Sequence, residues 1–154
     1  MRRARTLPAG AVTRGRLACA LLAAMGVMAG CGGVTAPDLF LVQRSGSGPG
    51  AKLTLLVNEE GGVTCNGVSV VAGRKLKLSD PQLVQARAIQ EDLSAPASKH
   101  TSLAPGPKSV LSYHVREEAG SVTFSDDSPA QPAVFRQMAL FVLQTAQTVC
   151  HLHE

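Results

Sequence analysis

Residues 17–30 limit the rest of the chain more than any other feature. Leu-Ala-Cys-Ala-Leu-Leu-Ala-Ala-Met-Gly-Val-Met-Ala-Gly runs for fourteen positions without a charge. It follows a head that holds Arg2, Arg3, Arg5, Arg14 and Arg16 and no acid. A membrane-spanning helix needs about 20 apolar residues, whereas the apolar part of a secretory signal needs only about 7–15. The pattern therefore predicts a secretion signal that is removed, residues 1–30, rather than a permanent span. A twin-arginine route is the weaker reading of Arg2-Arg3, because Ala4-Arg5 follows and the apolar run begins far downstream. Whatever folds must be built from what comes after, outside the reducing cytoplasm.

Removing that head changes the charge. The whole chain carries +4, but the part after residue 30 holds 10 Lys/Arg against 11 Asp/Glu, a net charge of −1. A near-neutral body lacks the basic footprint of nucleic-acid binding. With no Trp, one Tyr and four Phe it also lacks platforms on which single-stranded bases stack. No nucleic-acid partner is expected. The 154 residues, 45% of them hydrophobic, suffice for one modest core.

The end of the signal has a specific form. Met28-Ala29-Gly30-Cys31 resembles the lipobox of bacterial lipoproteins: a hydrophobic residue, two small residues, then the cysteine. Met28 departs from the Leu usual at that place. The resemblance implies that Cys31 becomes a diacylated N-terminal residue and fixes the chain to the outer face of the cell membrane. Two acyl chains hold where one does not. Residues 31–37 read as the lipidated cysteine and a Gly-rich tether. The alternative is an ordinary secretory signal cut near Ala-x-Ala-like residues, with Cys31 incidental.

Once Cys19 leaves with the signal and Cys31 takes lipid, Cys65 and Cys150 remain. An even pair in an oxidising compartment predicts a Cys65–Cys150 disulfide. A second reading stays open. Cys150, His151 and His153 stand beside Glu154 and, with Cys65, have the residue types of a zinc site.

The body, 38–154, reads as a single α+β domain. Asp38 to Arg44 alternates as a strand, Ser45 to Gly50 is a turn, and Lys52 to Asn58 is a second strand with Leu53, Leu55 and Val57 on one face. Val63-Thr64-Cys65 is a short third strand ended by Asn66-Gly67. Lys75-Leu76-Lys77-Leu78 has the marks of a short exposed edge. Asp80-Pro81 starts a helix with a stripe of Leu83, Ala86, Ile89 and Leu93, expected to stop before Pro96. Residues 95–108 form a loop. Ser109 to Arg116 and Ser121 to Phe124 make a hairpin. Ser128-Pro129 opens a last helix expected to reach about Leu152, with Leu140 on its polar side. The interspersed Arg and Gln of that helix exclude a membrane span. The order β-β-(β)-α-β-β-α, with short turns between paired strands, predicts a small antiparallel sheet with two helices packed on one face.

These segments resemble small lipoproteins of high-GC Gram-positive bacteria (actinobacteria), which carry no assigned activity. The resemblance rests on Asp38-Leu39-Phe40, the run at 50–58, Cys65-Asn66-Gly67, and Phe124-Ser125-Asp126 with the closing helix to Cys150.

Catalytic signatures are missing from the sequence. There is no Gly-x-Ser-x-Gly elbow and no His-Glu-x-x-His, and Gly46-Ser47-Gly48-Pro49-Gly50 lacks the Lys-Ser/Thr of a phosphate loop. The acid pairs at 59–60, 117–118 and 126–127 all fall at turns. No enzyme and no cofactor is expected. The candidate ligand-binding residues are Ser112, His114 and Arg116, which alternation places opposite Leu111, Tyr113 and Val115, with Thr54, Leu56 and Asn58 on the same surface. The leading expectation is a membrane-anchored, non-catalytic binding module for an extracellular protein or small molecule. One alternative is a secreted protease inhibitor presenting Lys99 or Lys108 from the loop, since actinobacterial subtilisin inhibitors are similarly small α+β proteins, although they usually have two disulfides. The other is a metal-binding protein using Cys150, His151 and His153.

Overall fold

The computed structural model describes residues 36–47 and 50–152. The signal, Cys31, the tether up to residue 35, His153 and Glu154 lie outside the described residues. The domain is α+β, as the alternation predicted. Strands β1 (Asp38–Gly46), β2 (Leu53–Asn58), β3 (Val63–Cys65), β4 (Val70–Val71) and β5 (Arg74–Lys75) precede helix α1 (Asp80–Ser98). Strands β6 (Leu111–Glu117) and β7 (Gly120–Ser125) then lead to helix α2 (Ala133–Thr148).

Five strands form one antiparallel sheet in the order β3-β2-β1-β6-β7, and β4 and β5 form a separate two-stranded hairpin. Both expected hairpins, β1–β2 and β6–β7, are present. They are joined through β1, which pairs Val42 with Val115 and Arg44 with Tyr113 of β6. Each outer edge is covered. Thr101 and Leu103 exchange backbone hydrogen bonds with Thr123 of β7, and Val63 of β3 donates to the Leu76 carbonyl. Covering an edge removes the template for pairing with another chain.

Alternation along the strands sorts the side chains. Phe40, Val42, Leu53, Leu55, Val57, Tyr113, Val115, Val122 and Phe124 are buried on one face. Ala86, Ile89, Leu93 and Ala97 of α1 and Phe135, Met138, Phe141 and Val142 of α2 complete the same core. Every aromatic ring is spent there. Tyr113, Phe124 and Phe135 stack in sequence, with centroids 5.1 and 4.7 Å apart, and Phe40 meets Phe141 edge-on at 5.8 Å. Such pairs add about 0.5–1.5 kcal/mol each beyond the area they bury.

Helix ends differ from the sequence expectation at four places. Ser79, not Asp80, caps α1, and the Gln82 side chain accepts from the Ser79 amide at 2.9 Å. The helix also continues through Pro96 to Ser98. A proline in the last turn loses only one backbone bond. Here the Thr101 amide and hydroxyl both donate to the Pro96 carbonyl, and Ala97 is buried. Helix α2 starts at Ala133 rather than Ser128. The Ser128 hydroxyl is taken by the Ser125 amide at 2.9 Å, Ala130 has φ 53°, and Pro132 keeps Gln131 out of helical geometry. At its other end α2 stops at Thr148, not near Leu152. His151 is left-handed at φ 54°, and the Leu152 amide turns back to the Ala146 carbonyl.

A disulfide joins Cys65 at the end of β3 to Cys150 just beyond α2, across 85 positions. Closing a loop of that length restricts the unfolded chain by up to about 4.5 kcal/mol. Replacing both cysteines with Ser should lower the urea midpoint accordingly, with the native sheet retained. Gly120 supplies a second check. A Cβ there would stand 2.3 Å from the Ala97 carbonyl, so Gly120→Ala should destabilise by more than about 1 kcal/mol in the same measurement.

Candidate functional site

With both helices on one side, the other face of the sheet is left open. Ser112, His114 and Arg116 all project from β6 onto it, because they alternate with the buried Tyr113 and Val115. Register then fixes their neighbours. Arg116 lies opposite Leu41 of β1, and Leu41 lies opposite Leu56 of β2. His114 lies opposite Gln43, and Gln43 opposite Thr54. On the far side His114 meets Thr123 of β7, with Nδ1 3.0 Å from the Thr123 hydroxyl. The face therefore presents a polar row, Thr123-His114-Gln43-Thr54, beside a mixed row, Ser121-Arg116-Leu41-Leu56.

Thr54 and Leu56 sit on this surface as expected. Asn58 is committed elsewhere. Its side-chain oxygen accepts from the amides of Glu60 at 3.2 Å and Gly62 at 2.7 Å, which shapes the β2–β3 turn. Leu41, Gln43 and Ser45 belong to the face but were not singled out by sequence. Only the non-local pairing of β1 with β6 puts them between the two candidate groups.

The mixed row runs into an open hollow of about 800 Å³ at one end of the sheet. Leu41, Leu56, Arg116, His100 and Ser121 line it, together with Glu117 at the end of β6 and Glu118 in the turn that follows. His100 enters from the loop after α1, its Nδ1 3.5 Å from the Ser121 hydroxyl. No local signal marked His100, since it is brought here by the edge pairing of the loop with β7. The hollow combines an apolar floor with groups of both signs. That composition suits recognition of a polar molecule with an apolar part.

The remaining candidates lie apart from this face. The sulfur of Cys150 is held in the disulfide, so a metal site built on its thiolate requires that bond to be reduced. His151 is exposed, and His153 lies outside the described residues. Among the described residues no three His, Cys, Asp or Glu side chains gather as a metal site. Lys99 follows α1 directly, and the Lys108 amide donates to Asp127 at 3.0 Å. Asp126 likewise accepts from Ser109 and Val110, so the loop from 99 to 110 is tied down along its length. Among the described residues no helix is long and apolar enough to cross a membrane.

Residues on an open face contribute little to folding. His114→Ala and Arg116→Ala should each leave the denaturation midpoint within about 0.5 kcal/mol of the parent. A larger loss would show that they serve the core instead. Comparison with protein-family profiles, with curated proteins and with solved structures returned no significant match.

Proposed function

We propose that the chain is a membrane-anchored, extracytoplasmic lipoprotein that binds a partner without catalysis. The anchor is the lipidated Cys31, and the binding surface is the open sheet face with its adjoining hollow. One observation carries the binding reading. Two helices cover one face of the sheet, while the other keeps the Ser121-Arg116-Leu41-Leu56 row uncovered beside His114 and Gln43. Apolar and charged groups fixed side by side on rigid strands give orientation and contact area at small entropic cost. The Met28-Ala29-Gly30-Cys31 motif and the Cys65–Cys150 disulfide support an oxidising location on the outer face of the membrane. The partner is an extracellular protein or a small molecule.

Two measurements test the two parts. The intact mass of the chain from its native membrane fraction should show loss of residues 1–30 and addition of diacylglycerol. An unmodified Cys31 overturns the anchor. Cross-linking in cells, comparing the parent with His114→Ala/Arg116→Ala, should show one or more cross-linked species lost in the variant at equal protein level. An unchanged cross-linking pattern overturns the sheet face as the binding surface.

A further inference from the structure

Ten consecutive residues, 66–75, are all exposed, and they hold the β4–β5 hairpin. Its geometry is fixed by two tight turns. Asn66 and Gly67 have φ of 51° and 83°, and Ala72 and Gly73 have φ of 50° and 76°, as in the two-residue turns that match strand twist. The root is held by Leu76 and Leu78, both buried, and by hydrogen bonds from Leu76 to Ser69 and from Leu78 to Gly61. The projecting part is thus ordered by its backbone and its root, with no core of its own.

Its side chains have an unusual composition. Val68, Val70 and Val71 are 48%, 47% and 42% exposed, half of the large apolar side chains exposed among the described residues. Val70 stands opposite Lys75, and Val71 opposite Arg74. No acid occurs between Glu60 and Asp80, whereas Arg74, Lys75 and Lys77 all do. Without these three cations the chain after residue 30 would carry 7 Lys/Arg against 11 acids. Positive charge and partly exposed apolar side chains are concentrated in one hairpin of an otherwise acidic body.

We infer that this hairpin is a second, non-covalent membrane contact that docks on anionic phospholipid. The valines reach the boundary between headgroups and acyl chains, and Arg74, Lys75 and Lys77 meet the lipid phosphates. A soluble polyanion would be held by the cations alone and gives no role to three exposed valines. An interface of phosphate over hydrocarbon uses both. The inference rests on the anchor reading through one piece of geometry. Ala36 lines a hollow together with Val70 and Lys75. It is five residues from Cys31, and five residues of extended chain span at most about 18 Å. A lipid on Cys31 therefore keeps the hairpin close to the bilayer, and the hairpin in turn orients the domain on it. Near an anionic leaflet each such cation contributes about a fivefold factor, on the order of 100-fold for three.

The test uses the processed chain recovered from bacterial membranes, carrying Val70→Cys labelled with an environment-sensitive thiol fluorophore. The parent chain is treated with the same reagent. The chains are reconstituted into vesicles of phosphatidylcholine alone, or with about 30% phosphatidylglycerol. The expected result is a blue-shifted, quencher-protected label only with phosphatidylglycerol, reversed by about 0.5 M salt. R74E/K75E/K77E, made in the labelled chain, should abolish the shift, and Val71→Ser should weaken it, with unchanged thermal melts. No shift with phosphatidylglycerol, or an equal shift in pure phosphatidylcholine, overturns the inference. A shift with soluble polyphosphate but not with vesicles overturns it in favour of a polyanion. Failure of the anchor is read separately, as labelling of Cys31 in the parent chain. In that case sedimentation with the anionic vesicles decides, and the hairpin contact is overturned if R74E/K75E/K77E sediments as well as the parent.

Discussion

The pairing of β1 with β6 joins the two halves of the fold, Leu41–Gly46 of one to Leu111–Arg116 of the other. Each hairpin, β1–β2 and β6–β7, forms from neighbouring sequence, but a two-stranded hairpin is at best marginally stable in water. Joining Leu41 through Gly46 to Leu111 through Arg116 merges their four strands, which with β3 on β2 make one five-stranded sheet. Only then is there a continuous apolar face wide enough for two helices. The Phe40–Phe141 contact belongs to this joined state, since it ties β1 of the first hairpin to the helix that follows the second.

The same pairing separates the two faces of the sheet. Alternation sends Val42, Val115 and Val122 toward the helices and sends Leu41, Gln43, His114 and Arg116 the other way. A one-residue slip in register would exchange the two sets, so burial of the core also fixes the surface of the open face. Stability and the candidate binding surface are in this sense one constraint.

A second region of order lies at the β3 edge. The Cys65–Cys150 disulfide ties the end of α2 to β3, and the segment from Val68 to Leu78 continues from that edge. The β4–β5 hairpin projects from here. None of its own side chains is fully buried, and its shape comes from left-handed turn residues and from Leu76 and Leu78 beneath it. Tight backbone geometry holds an apolar and cationic surface away from the core.

Much of this was legible in the residues. Period-two alternation gave the long strands, the stripe from Leu83 to Leu93 gave α1, and the face from Val134 to Val149 gave most of α2, because local periodicity directly records which side is buried. Cysteine counting gave the Cys65–Cys150 pair, and alternation alone put Ser112, His114 and Arg116 on one side of β6. Tertiary contacts decided the rest. Pro96 stays helical because Thr101 and the buried Ala97 hold the last turn, and α2 begins late because Ser128 is spent on Ser125. The neighbours of His114 and Arg116 on β1 lie more than seventy residues earlier, and His100 arrives by pairing of a loop with β7. Local sequence sets which face a side chain occupies. Which side chains share that face depends on strand order, and strand order is settled by burial of the whole sheet.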